Sequence, residues 1–121
     1  MAKDLKVSVL LDFYGQMLTP TQREVTESYY YDDLSLAEIS EERGITRQGV
    51  RDAIKRSEKE LSDMEDRLGL VKRFRETELA LTRICDDALA IKKANGGANS
   101  EIDKLVSDII GTTAALVESQ E

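Results

Sequence analysis

The chain has 121 residues, 17 Lys and Arg against 24 Asp and Glu, one cysteine and no histidine. That length holds about one domain with an extension, a lone cysteine excludes an intrachain disulfide and suits a reducing compartment, and the missing histidine removes the usual general base, the Ser-His-Asp triad and the commonest zinc ligand. A net charge of −7 argues against a general nucleic-acid coating protein, whose affinity comes from neutralising phosphates.

The opening MAKDLKVSVLLDFYGQ carries acidic residues and no small-residue cleavage site, and no apolar run approaches the roughly 20 residues of a membrane span. Neither secretion nor membrane insertion is expected. A first helix is predicted from Asp4 to Tyr14 or Gln16, burying Leu5, Val9, Leu10 and Phe13. Leu18, Thr19 and Pro20 then signal a second start, because Thr caps and Pro at the first helical position gives up no needed hydrogen bond. This helix runs to about Tyr31. Tyr29, Tyr30 and Tyr31 point about 100° apart on a helix and make no single stacking platform, so core and turn packing is expected of them. Asp32 and Asp33 supply a polar turn.

The most constrained stretch follows, LAEISEERGITRQGVRDAIKRSEK from Leu36 to Lys59. Ser35 is placed to cap its first helix, and Glu38 completes a capping box. Gly44 is suited to end that helix in a left-handed backbone, and Thr46 to cap the next. Ser40 supplies a small side chain where the axes approach, while Ile39, Ile45, Val50 and Ile54 share one core. The pattern is a helix-turn-helix. Its outward face reads Arg47, Gln48, Arg51, Lys55, Arg56 and Lys59, a basic stripe on the element that lies in a DNA major groove in such folds. From Arg43 to Lys59 the local charge is +4, which leaves −11 elsewhere. Nucleic-acid contact should therefore be small, oriented and salt-sensitive. Thr46 and Arg47 are candidates for phosphate contact, Gln48 and Arg51 for base edges, and Lys55, Arg56 and Lys59 for backbone phosphates.

The second helix of the motif should continue through Leu61, Met64 and Leu68 to Gly69. A long helix from about Leu70 to Ala94 carries Leu70, Phe74, Leu81, Ile84, Ala88 and Ile91 along one side. Cys85 reads as a small buried hydrophobe. After the break Asn95-Gly-Gly-Ala-Asn99, Ser100 is expected to cap a last helix with Ile102, Leu105, Ile109 and Leu116 in register, widened by Val106, Ile110 and Val117. Two amphipathic helices around a short glycine turn imply an antiparallel hairpin, which either completes the monomer's core or forms a dimer seam. The expected organisation is a helix-turn-helix domain over 1–68 and a C-terminal helical hairpin over 69–121, with the hairpin as the candidate dimerisation element. A homodimer is expected.

Chemistry is otherwise sparse. Gly96-Gly97 lacks a GK[ST] signature and a preceding strand. The acidic pairs Asp32-Asp33, Glu41-Glu42 and Asp86-Asp87 splay apart on a helix and do not converge on a metal. The expectation is a non-enzyme with no catalytic residue, metal or cofactor.

The segment from Leu18 to Leu61, LTPTQREVTESYYYDDLSLAEISEERGITRQGVRDAIKRSEKEL, resembles region 4 of bacterial sigma factors. A larger resemblance, to the YlxM family of small bacterial helix-turn-helix proteins, covers about the first 74 residues. It rests on DFY at Asp12 to Tyr14, LT at Leu18-Thr19, YYYDDLSLAEI at Tyr29 to Ile39 and TRQGVRDAIKRSE at Thr46 to Glu58. The resemblance implies an all-α fold with a three- or four-helix core of the winged-helix superfamily type without a wing. It also implies a cytoplasmic accessory or regulatory protein of the signal recognition particle pathway. The implied partners are nucleic acid, as DNA or the particle RNA, or alternatively the particle's GTPase or its receptor, bound by a protein-binding adaptor. Gly49 departs from most sigma-like patterns, since it offers no side chain for reading bases.

Overall fold

Six α-helices and one 3₁₀ turn make up the computed structural model, which describes residues 3–120, and there is no strand among the described residues. The helices are α1 (Leu5–Tyr14), α2 (Pro20–Tyr30), α3 (Leu36–Arg43), α4 (Arg47–Leu68), α5 (Leu70–Asn95) and α6 (Ser100–Gln120), with the 3₁₀ turn over Gly15–Met17. The chain divides into two compact units, one ending at Val71 and the other starting at Lys72.

Local chemistry sets the starts. Asp4 caps α1 by accepting from the Lys6 N–H at 3.0 Å. Thr19 and Gln22 form a capping box on α2, with Pro20 in its first turn. Ser35 and Glu38 form another on α3, each bond 3.1 Å long. Such caps satisfy N–H groups that a helix start leaves without partners.

The first unit has two packed clusters. Val25, Tyr29, Ile39, Val50 and Ile54 join α2, α3 and α4. Val7, Leu11, Tyr14, Leu18, Leu61 and Val71 join α1, the end of α4 and the start of α5. The buried stripe of α1 is thus Val7, Leu11 and Tyr14, whereas Leu5 is 79% exposed and Val9, Leu10 and Phe13 are only partly covered. The expected stripe was rotated because Tyr14 counts as core once its phenol is bonded. That phenol donates to Glu65 Oε1 at 2.6 Å and accepts from the Leu70 N–H at 3.0 Å. Glu65 in turn accepts from the Val71 N–H at 3.1 Å. Gly69, at φ +62, ends α4, yet the two residues after it remain fastened to the first unit.

The tyrosine run divides three ways. Tyr29 is buried, Tyr30 is half-buried with its hydroxyl 2.9 Å from Glu58, and the exposed Tyr31 donates to Asp12. The turn that follows uses Asp33 at φ +54, a left-handed position that Asp tolerates, and Asp33 pairs with Lys3.

In the second unit α5 and α6 form an antiparallel hairpin. Lys92 Nζ reaches Ser107 Oγ at 3.4 Å, and Thr82, Cys85 and Asp86 share a groove with Thr113, Ala114 and Val117. Asn99 caps α6 in place of the expected Ser100, accepting from the Glu101 and Ile102 N–H groups at 3.0 and 3.1 Å. Ala88, Val106 and Thr113 are the buried residues of the seam, and Cys85 is half-buried. Of the apolar residues expected inside, Phe74, Leu81, Ile110 and Val117 are half-buried, whereas Leu70, Ile84, Ile91, Ile102, Leu105, Ile109 and Leu116 are 39–55% exposed. On α6 two apolar rows lie side by side and the one partner helix covers one of them, while on α5 Ile84 and Ile91 stand beside the covered row.

Candidate nucleic-acid interface

The interface candidate is built from the turn upward. Gly44 adopts φ +67 and closes α3 with its N–H on the Ser40 carbonyl. Ser40 Oγ donates to the Ile45 carbonyl, so the residue expected as packing filler also ties the turn. Ile45 itself is 39% exposed, because its main role is to span that turn, and the shared core closes without it. Thr46 caps α4 by accepting from the Gly49 N–H at 2.9 Å. An ion pair from Arg43 to Glu24 links the end of α3 to α2.

Val50, Ile54, Ser57 and Leu61 form the buried face of α4. Ser57 was not apparent from apolar patterning; its hydroxyl donates to the Ala53 carbonyl at 2.9 Å, which lets a small polar residue sit in the core. The opposite face is open. Arg47, Gln48, Arg51, Lys55, Arg56 and Lys59 are all exposed, as is Thr46.

These side chains do not form a single row. At 3.6 residues per turn, Arg47 and Arg56 project about 180° apart, so they sit on opposite flanks of the exposed face. Arg51 belongs with Arg47 on one flank, about 40° away. The midline is occupied by Gln48, Asp52, Lys55 and Lys59. Asp52 was not among the residues singled out from sequence; its four-residue spacing from Gln48 is the signal that marks it. The Gln48 amide donates to Asp52 Oδ1 at 2.8 Å, and Lys59 pairs with Asp63 at 3.0 Å. Among the described residues Arg47, Arg51, Lys55 and Arg56 make no hydrogen bond or ion pair within the protein. Four cations therefore face solvent uncompensated, and the exposed Lys59 pair is of a kind worth about 0–1 kcal/mol, easily exchanged for a phosphate.

Arg56 also borders a groove of about 420 Å³ with Thr19, Thr21, Gln22, Gly49, Asp52 and Glu60, where the start of α2 runs beside α4. The Gly49 position is explained at close range. A Cβ there would lie 3.1 Å from Thr46 Oγ1, the atom that caps the helix. No group of three or more His, Cys, Asp or Glu side chains able to hold a metal occurs among the described residues. Among the described residues no helix is long and apolar enough to cross a membrane.

Comparison with known proteins agrees with this architecture. Residues 1–102 match the UPF0122 family, described as "Putative helix-turn-helix protein, YlxM / p13 like". A UPF0122 protein of Thermoanaerobacter sp. (strain X514) is 44% identical over 105 residues, covering 87% of this chain and 88% of the relative. One from Caldanaerobacter subterraneus subsp. tengcongensis is 50% identical over 80 residues, 66% of this chain and 68% of the relative. A third, from Shouchella clausii, is 41% identical over 103 residues, 85% of this chain and 94% of the relative. With a helix-turn-helix at the centre of its first unit and this coverage, the chain belongs to the YlxM/p13-like helix-turn-helix family UPF0122.

Proposed function

We propose that this protein is a non-enzymatic, cytoplasmic helix-turn-helix regulator of the signal recognition particle pathway that binds nucleic acid through α4 and acts as a homodimer through its C-terminal hairpin. One observation carries the reading: four uncompensated cations stand on the two flanks and the midline of an exposed, capped helix. Flanking cations suit the two phosphate rows that border a major groove, and a midline amide and carboxylate suit base edges. Thr46, Arg47, Arg51 and Arg56 are assigned to the flanks, and Gln48, Lys55 and Lys59 to the midline. The particle RNA, whose A-form major groove does not admit a helix, would be held by its phosphates or loops instead.

Gel-shift titration against a promoter DNA pool and the particle RNA, at low and high salt, tests this. Binding should weaken steeply with salt, and Arg51→Ala should lower the magnitude of the slope of log affinity against log salt by about 1. For Gln48→Ala on the midline, a loss confined to one base position supports DNA reading, and a uniform loss supports phosphate contact. Absence of binding to either nucleic acid at low salt overturns the proposal.

The −11 charge outside the basic window favours one second reading, an adaptor for a basic partner such as the targeting GTPase or its receptor. Binding of that GTPase without nucleic acid would select it.

A further inference from the structure

We infer that the hairpin of α5 and α6 dimerises through one particular face, the second apolar row of α6, seated against the same row of a second copy. The inference rests on the homodimer reading and is independent of the nucleic-acid reading.

Two helices cannot enclose a core, and this pair shows the consequence. Between them they bury Ala88, Val106 and Thr113, while Ile84, Ile91, Ile102, Leu105, Ile109 and Leu116 stay 39–55% exposed, as does Leu89 on the other flank of α5. The exposed set is ordered. On α6 the row Ile102, Leu105, Ile109, Thr112, Leu116 and Ser119 steps by three and four residues alternately, the spacing of a coiled-coil seam. It lies one residue out of phase with the row Val106, Ile110, Thr113 and Val117 that faces α5. A helix with two adjacent rows of this kind is built to meet two neighbours.

Angular positions put α5's contribution on the same side. Ile84 and Ile91 lie about 70–90° from the centre of α5's inner face, in the same rotational sense as Ile102, Ile109 and Leu116 on α6. In an antiparallel pair, equal rotational senses project to one face of the hairpin. That face therefore collects Ile84 and Ile91 of α5 with Ile102, Leu105, Ile109 and Leu116 of α6, while Leu79 and Leu89 lie outside it.

The occupant follows from what the face contains. No charged residue interrupts the α6 row over its 18 positions, a length of about 27 Å, so it asks for no countercharge and is its own complement under a two-fold axis. A strip of that length and two helices wide is on the order of the 800 Å² per partner that stable dimers bury. Two hairpins so joined make a four-helix bundle. Ile109, near the middle of the row, falls beside the two-fold axis, where one substitution is felt twice.

Sedimentation equilibrium on the full chain tests the face, with helix content followed by circular dichroism. Ile109→Glu should weaken dimerisation at least about 100-fold by placing a carboxylate in a dry seam. Leu79→Glu, at a 72% exposed position on the far side of α5, should leave it unchanged. If Ile109→Glu loses helix content, Ile109→Ser is read in its place by the same criteria. A dimer that ignores the Ile109 substitution, or one that Leu79→Glu weakens equally, overturns this face and leaves the homodimer reading standing. A monomeric wild type overturns both.

Discussion

Single side chains show where polar chemistry is settled inside the first unit and where it is not. Thr26 is fully buried on α2, and its hydroxyl has no hydrogen-bond partner among the described residues. A buried hydroxyl without a partner carries its desolvation cost uncompensated. Thr26→Val should therefore stabilise the chain by about 1 kcal/mol, seen as a melting temperature higher by a few degrees. Tyr30 is the opposite case. Burial, and then its hydrogen bond and proximity to the Glu58 carboxylate, push its phenol well above the ordinary value of 10.0. Because the folded value is raised, the stabilising contribution is complete below the unfolded value and is lost as pH climbs above it. Burial and the Asp12 carboxylate push the Tyr31 phenol up as well, so a phenolate absorbance titration should show both tyrosines ionising late, with Tyr30→Phe removing one equivalent from that late phase. Ionisation of every tyrosine near the ordinary value would contradict that environment.

Helices were legible from sequence wherever a start or stop depended on neighbours in the chain. Thr19 with Gln22, Ser35 with Glu38, Thr46, Gly44 and Gly69 all act at the ends where local chemistry places them. Their consequences are correspondingly local. At Gly44 a Cβ would meet nothing within 4 Å, so any cost of substitution comes from its φ of +67 and not from crowding. Gly44→Ala should lose about 1 kcal/mol in urea unfolding, and Gly44→Asn less, since Asn enters the left-handed region more readily. Equal losses for the two would point to a steric cause. Faces were less legible than ends. Val7, Leu11 and Tyr14 displaced the more apolar-looking stripe of α1 because a phenol can enter a core when Glu65 receives its proton donor. The hairpin rows were confused for a similar reason: Val106 and Ile102 are equally apolar, and only the position of α5 distinguishes inside from outside.

Across the whole molecule, the helix-turn-helix and its basic face could be read from residues alone, because glycine, caps and charges carry that information in spacing. The division of the basic stripe into two flanks, and the carboxylate of Asp52 on the midline between them, required the phase of α4 fixed by Val50, Ile54, Ser57 and Leu61. The passage from one unit to the next also looked simpler in sequence than it is. A glycine at 69 marks the obvious cutting point, yet the first two amides of α5 are held by the Tyr14 phenol and the Glu65 carboxylate, and Val71 fills the same cluster as Leu61. Anyone wishing to isolate the helix-turn-helix half by truncation should therefore end it beyond Val71. A shorter fragment would expose oil to water and leave one acid and one phenol facing an empty doorway.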